Sequence, residues 1–122
     1  MTKERVFMRD IKGSFEVDGV TYPLVFNLNV MQEIQEEYGT LEKWGDLTDG
    51  GAGEPNAKAV IFGFASMINE GIDIENEISG EDRKALTRRQ VGRIITSYGL
   101  IEATKVMNDT VVESTKSTEK NA

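Results

Sequence analysis

The sequence lacks cysteine and histidine entirely in its 122 residues. Without these side chains the chain cannot build the usual zinc sites, cysteine nucleophiles, Ser-His-Asp triads or disulfide frameworks. Carboxylates, lysine, serine, threonine and tyrosine remain for catalysis, and no motif pairs one of them with an activating base. We therefore predict a non-enzymatic protein with no catalytic, metal-binding or cofactor-binding residue.

Long hydrophobic runs are also missing. The most apolar stretch, Ala59 to Ile68, is about half the length that spans a bilayer. The charged N-terminus does not resemble a signal peptide, and the lack of cysteine fits a reducing compartment. We expect a cytoplasmic protein that does not enter membranes. The length predicts one small domain whose core needs neither disulfide nor metal.

The net charge of -7 is unevenly distributed along the chain. Residues 1–13 carry +2, residues 14–82 carry -13 and residues 83–122 carry +4, which sum to -7. An acidic body disfavours general binding to nucleic acid, because such binding depends on clustered Lys and Arg that displace counterions from phosphates. We expect protein partners rather than DNA or RNA.

One basic cluster is the exception to this acidic character. Five bases fall within eleven residues, and no aromatic residue lies between them to stack on bases. The pattern favours a solvated or internally paired face, with a protein-binding site and a nucleic-acid site as the alternatives. The cluster consists of Arg83, Lys84, Arg88, Arg89 and Arg93, and we take Arg88, Arg89 and Arg93 as candidate partner-binding residues.

The N-terminal part of the chain predicts a β-hairpin. Two short β-type segments, 12–18 and 20–26, flank Asp18-Gly19, a two-residue turn signal. Pro23 cannot donate a ladder hydrogen bond, so its strand is expected at an edge or broken nearby. An isolated hairpin is marginal in water. We therefore expect its apolar face to pack on helices: Phe15, Val17, Val20, Tyr22, Leu24 and Phe26.

The rest of the chain predicts helices. Asn27 or Asn29 can cap a helix that ends at Gly39, and Thr40 can cap a short segment after it. A broad apolar stripe predicts the central core helix over Asn56 to Gly71. A capping box at Thr87 starts a further helix, and Gly99 separates it from the last one.

Two loops with suggestive compositions are not expected to bind ligands. The glycine-rich segment Thr48 to Pro55 matches neither of two phosphate-binding motifs, G-x-x-x-x-G-K-[ST] and G-x-G-x-x-G. The segment Gly71 to Gly80 spaces its acids like calcium ligands, but Ile78 and Lys84 occupy the positions where an EF-hand loop needs glycine and a bidentate acid. We expect the second segment to be a solvated acidic loop.

These elements predict an α+β fold with an N-terminal β-hairpin packed on a mostly helical domain of about four helices. We expect residues 1–10 to be flexible, residues 11–114 to form the single domain, and the polar residues 115–122 to form a disordered tail.

The layout resembles that of the tail assembly chaperones of long-tailed bacteriophages and prophages. The matching features are the strand Gly19-Val-Thr-Tyr-Pro-Leu-Val-Phe26, the helix Met31-Gln-Glu-Ile-Gln-Glu-Glu-Tyr-Gly39 with its acidic-aromatic-glycine end, a variable loop, and later helices that include the Thr87-initiated one. They span roughly residues 11 to 112.

The resemblance implies a non-catalytic protein of the bacterial host cytoplasm that binds the tape measure protein and helps recruit tail tube protein. It also implies absence from the mature virion, and in many family members a longer product made by ribosomal frameshifting. An amphipathic helix is a natural partner surface, and here the last helix offers Val106, Met107, Val111 and Val112. Packing of these residues on the domain's own core is the alternative.

Two other functions remain open from the sequence: a minor structural tail or connector protein, and a small regulatory or antitoxin-type binding protein. The sequence also leaves open whether the chain forms a homo-oligomer.

Overall fold

The fold of the chain is given by a computed structural model that describes residues 13–49 and 53–121. The predictions for residues 1–10 and for the middle of the glycine-rich loop lie outside the described residues. Within them, an antiparallel hairpin precedes five helices, which confirms the α+β class and adds one helix to the expected four. The elements are β1 (Gly13–Val17), β2 (Val20–Leu24), α1 (Leu28–Tyr38), α2 (Leu41–Thr48), α3 (Ala57–Ser79), α4 (Arg88–Tyr98) and α5 (Leu100–Asn121).

The hairpin turns at the predicted two residues. Asp18 and Gly19 both have positive φ, 52° and 82°, as the mirror-image turns that match strand twist require. The register pairs Phe15 with Tyr22, and their ring centroids lie 5.4 Å apart. Phe15 also packs edge-on against Phe64 of α3 at 5.4 Å. The predicted apolar face is therefore the face that meets the helices, with Val20 left 42% exposed at the tip.

The helix caps follow the sequence signals. The side chain of Asn27, not that of Asn29, accepts the Val30 N–H at 3.2 Å, and Thr40 accepts the Lys43 N–H at 3.0 Å. At Thr87 both halves of the capping box form with Gln90. Each bond satisfies a backbone donor that the first helical turn leaves without a partner.

The first half of α3 forms the centre of the core, as predicted. Val60, Phe64, Met67 and Ile68 are all at most 1% exposed. Gly63 lies directly under the Trp44 indole, which leaves no room for a Cβ atom. The indole N–H of Trp44 donates to the Ala59 carbonyl at 3.0 Å, so the buried donor is satisfied.

The helix α3 does not end at Gly71, and the prediction of an acidic loop over 71–80 is wrong. The backbone stays helical to Ser79 and ends at Gly80, whose φ of 79° is left-handed. Ile72 continues the buried stripe one turn beyond Ile68. Gly71 lies against Pro23 of β2, where a Cβ atom would be 2.7 Å from the proline ring. The glycine therefore marks a close contact with the hairpin. The acids of this segment lie on the helix, where Asp73 and Glu77 are exposed and Glu75 pairs with Arg83.

The last helix packs Ala103 and Met107 into the core. Its backbone remains helical through Asn121, so it continues past residue 115, where the sequence predicted a disordered tail. Propagation of an existing helix adds one backbone hydrogen bond per residue and needs no new nucleus. Among the described residues, no helix combines the length and apolar character needed to cross a bilayer.

Candidate functional site

The four candidate residues on α5 lie in different environments. Met107 is fully buried in the core, so it cannot contact a partner in this fold. Val106 and Val111 are half-buried against the same core, and Val112 is 52% exposed. The amphipathic stripe that the sequence revealed is used mainly by the domain itself, because a helix at the edge of a domain has one apolar face and buries it.

The basic cluster divides into two parts in the structure. Arg83 is held by α3: its guanidinium lies 3.6 Å from the Glu75 carboxylate. The Asn76 side chain accepts the Arg83 N–H at 3.1 Å and donates to the Arg83 carbonyl at 2.9 Å. This arginine is thus internally paired, as the favoured interpretation of the cluster required.

The other part of the cluster is an exposed surface on α4, which we call the arginine face and define by Arg88, Arg89 and Arg93. The guanidinium carbon of Arg88 lies 4.9 Å from the centroid of the Phe62 ring, a cation–π contact. Within the described ranges, 13–49 and 53–121, none of the three arginines forms an ion pair. The arginine face borders a shallow depression of about 570 Å³ that also includes Ile61 and Gly92.

A second concave surface, which the sequence did not predict, runs along α3. We call it the α3 groove; its floor is α3 from Phe62 to Asn76, and its walls are α1 on one side and the segment 81–87 with Arg88 of α4 on the other. Its volume is about 620 Å³. The floor spans fifteen residues of helix, or about 21 Å from the first to the last at a rise of 1.5 Å per residue. Its middle is formed by small or short side chains, Ala65, Ser66 and Asn69.

Two asparagines fix one wall of the α3 groove. The Asn69 side chain accepts the Leu86 N–H at 2.8 Å and donates to the Leu86 carbonyl at 3.0 Å. Asn76 bonds to Arg83 in the same two-way manner. Asn69 and Asn76 are seven residues apart and so lie on one face of the helix. Together they hold the 81–87 segment in an extended path beside α3.

Carboxylates fix the opposite wall. Glu70 of α3 accepts from the Asn27 and Asn29 side-chain amides at 2.8 Å and 3.0 Å. Glu33 of α1 accepts from the hydroxyl of Ser66. The α1 side of the groove is therefore acidic. The opposite side presents Arg83 and Arg88, so the two walls carry opposite charges.

Tyr38 lies where α1, α3 and α4 meet. Its ring packs edge-on against Phe62 at 5.5 Å. Its hydroxyl is buried and has no hydrogen-bond partner among the described residues. Burial raises the pKa of this hydroxyl, the neighbouring Glu37 raises the pKa further, and Arg88 opposes both. The charged form of Tyr38 is therefore disfavoured in the folded protein.

Across the described residues, no group of three or more Asp and Glu side chains is placed to hold a metal ion. The sequence did contain one usable signal for the α3 groove: Asn69 and Asn76 at a spacing of seven, facing the non-periodic segment 81–87. Nothing in the local sequence showed that the two would meet, because the pairing depends on the chain reversing after Gly80.

In comparisons with known proteins, no family model, no curated protein and no solved structure matches this chain.

Proposed function

We propose that this chain is a phage tail assembly chaperone, a non-catalytic protein of the bacterial host cytoplasm that binds the tape measure protein and helps recruit tail tube subunits. The proposal starts from the resemblance in layout, whose elements occur in the structure in the expected order: hairpin, a helix ending at Gly39, loop, and later helices. The α3 groove is the observation that carries it.

The α3 groove has the dimensions of a site for one helix. A floor of about 21 Å accommodates about four helical turns. Small side chains in the middle of the floor, Ala65 and Ser66, allow the backbone of an incoming helix to approach closely. Docking of an amphipathic helix in a groove is a common mode of peptide recognition. A tape measure protein, a long and largely helical chain, supplies segments of this kind.

The charges of the walls define the segment that fits. Glu33 and Glu70 on the α1 side favour basic residues on the adjacent edge of the incoming helix. Arg88 on the other side, which forms no ion pair within the described residues, favours acidic residues on the opposite edge. Both walls are already fixed by hydrogen bonds within the chain, so little conformational entropy is lost when the groove is filled. We therefore propose a mixed-charge helical segment of the tape measure protein as the occupant.

Covering such segments has a physical purpose during assembly. A long helical chain with exposed apolar stripes aggregates unless the stripes are protected until the tail tube surrounds it. A chaperone needs only reversible contacts for this task, and it leaves when tube subunits take over the same surface.

Co-expression tests the proposal directly. The tape measure protein of the same gene cluster is produced in bacteria with and without this chain, and its soluble fraction is measured. We expect the soluble fraction to rise with the wild-type chain and to fall again with Ser66→Phe, which fills the groove. Ser14→Phe is the matched control, because Ser14 is exposed on β1 and does not line the groove.

Circular dichroism of the two purified variants establishes that both are folded. A tape measure protein that gains no solubility from the wild-type chain would contradict the chaperone function. Equal effects of Ser66→Phe and Ser14→Phe on the soluble fraction would show that the α3 groove is not the site that binds the tape measure protein. Detection of the chain in purified virions would instead favour the minor structural tail protein.

A further inference from the structure

We infer that the arginine face binds an acidic segment of a protein partner, at the depression beside Arg89 and Arg93, which shares only Arg88 with the α3 groove. The inference does not depend on the chaperone function. It rests on three properties of the arginine face: its lack of ion pairs within the described residues, its position on α4, and the shape of the depression beside it.

The arginine face groups three bases that form no ion pair within the described residues. The chain has 21 acidic residues for 14 basic ones, so most bases could find a carboxylate. Three of them do: Arg83 pairs with Glu75, Lys58 with Glu37 and Lys105 with Asp109. The exposed Lys43 and Lys84 form no ion pair within the described residues either. In the described part of the chain, Arg88, Arg89 and Arg93 pair with none. Three fixed positive charges thus remain available on an otherwise acidic molecule.

Their position on α4 does not help the helix. Arg88 and Arg89 occupy the first turn, which contains no acidic residue. The first turn is the positive end of the helix dipole, where bases are unfavourable and acids favourable. The helix dipole therefore gives the folded chain no stabilisation from arginines there, whereas a carboxylate bound to them is stabilised by both the guanidinium groups and the helix.

The depression gives the arginine face a shape as well as a charge. Its lining includes the half-buried side chain of Ile61 and the backbone of Gly92, between the exposed side chains of Arg89 and Arg93. These arginines are one turn apart, with Cβ atoms about 6 Å from each other. Alternate residues of an extended segment are about 6.7 Å apart. Two alternating carboxylates can therefore reach both guanidinium groups, each of which can bind a carboxylate through two parallel hydrogen bonds.

A protein segment fits this surface better than nucleic acid does. No aromatic side chain lines the depression within the described residues, so bases have nothing on which to stack. The neighbouring exposed surface of α1 carries Glu33, Glu36 and Glu37, which repels a continuous phosphate backbone. A short carboxylate-bearing segment can contact the arginine face without passing over that acidic surface.

Fluorescence anisotropy with the full chain tests the inference. The probe is a short fluorescein-labelled peptide in which glutamate alternates with alanine, and a peptide with glutamine in place of glutamate is the uncharged comparison. We expect the glutamate peptide to bind, and Arg89→Glu/Arg93→Glu to weaken binding by at least about tenfold. Arg89→Gln/Arg93→Gln, which adds no acid, should weaken it in the same direction.

Lys43→Glu/Lys84→Glu is the matched control. It changes the net charge by the same amount, and both lysines are exposed and outside the depression. We expect this variant to retain most of the affinity. Equal losses of affinity in the arginine and lysine variants would show that binding depends only on the overall charge, and this result would overturn the inference. Tighter binding of a single-stranded oligonucleotide of the same length, or equal binding of the glutamine peptide, would overturn it as well.

Discussion

The two halves of α3 are held in place by different forces. Residues 57–68 present Val60, Phe64, Met67 and Ile68 to the core, and none of these is more than 1% exposed. Residues 69–79 keep one large core side chain, Ile72, and the close contact of Gly71 with Pro23, and otherwise make their tertiary contacts through polar side chains. The first half supplies most of the core side chains of α3, and the second half holds the 81–87 wall of the α3 groove.

This difference has an energetic consequence. Burying a large apolar side chain contributes about 1.5 to 3 kcal/mol, and truncating one adds the cost of a cavity. A hydrogen bond contributes about 0.5 to 1.5 kcal/mol net. Changes in the first half should therefore lower global stability, whereas changes in the second half should mainly loosen the 81–87 segment.

The largest effect is expected for Phe64→Ala. Phe64 is completely buried and contacts the Phe15 ring, so its loss should lower the free energy of unfolding by about 3 to 5 kcal/mol. Urea denaturation followed by the fluorescence of the single tryptophan, Trp44, measures this change. Val112→Ala, at a position 52% exposed, should change it by less than about 0.5 kcal/mol. A similar value for both variants would show that α3 is not the centre of the core.

A smaller and more local effect is expected for Asn69→Ala. The change leaves the Leu86 N–H and carbonyl without their partner, which should cost about 1 to 3 kcal/mol. Hydrogen exchange of the Leu86 amide should become faster, while amides in the first half of α3 change little. Asn108→Ala is the control, because the Asn108 side chain forms no hydrogen bond within the described residues. Uniform acceleration of exchange throughout α3 would contradict the division between the two halves.

The smallest effect at neutral pH is expected for Tyr38→Phe. The buried hydroxyl has no partner among the described residues, so its removal should leave the free energy of unfolding unchanged or raise it by up to about 1 kcal/mol. Because burial raises the pKa of Tyr38 in the folded state, ionisation of this residue does not affect the free energy of unfolding of the wild type below about pH 10. As the pH rises from there through the folded-state pKa, the unfolded chain loses the Tyr38 proton more readily than the folded chain, and the free energy of unfolding falls.

The phenylalanine variant cannot ionise, so it should lose less stability than the wild type between neutral pH and alkaline pH. Urea denaturation of both proteins at the two pH values measures this difference. Identical alkaline losses would show that the Tyr38 hydroxyl reaches solvent and that the junction of α1, α3 and α4 is looser than the structure indicates.

The features that could be predicted from the sequence are those set by neighbouring residues. The Asp18-Gly19 turn, the caps at Asn27 and Thr40, and the Thr87 capping box each depend on contacts within a few positions. The extent of α3 could not be predicted in the same way. The local sequence around Gly71 predicts a helix end. Only the contact of Gly71 with Pro23, 48 residues earlier in the chain, explains why a glycine lies inside the helix.

The same contrast holds for the candidate surfaces. The sequence identified arginines 88, 89 and 93 as a group because they are adjacent on one helix, but whether they were paired depended on acids far away in the chain. It also identified Met107 as part of an amphipathic stripe, and a stripe alone does not show whether the domain or a partner covers it. The packing of α5 on the core decided that question for Met107.

By itself, then, the sequence determined the α+β class, the hairpin register, the helix starts and the lack of cysteine and histidine chemistry, because each follows from composition or short-range hydrogen bonding. Tertiary structure alone decided the length of α3, the burial of Met107, the pairing of Arg83 and the existence of the α3 groove. Each of these depends on which distant segments meet, and the reversal of the chain after Gly80 brings Asn69 and Asn76 to the backbone that they hold.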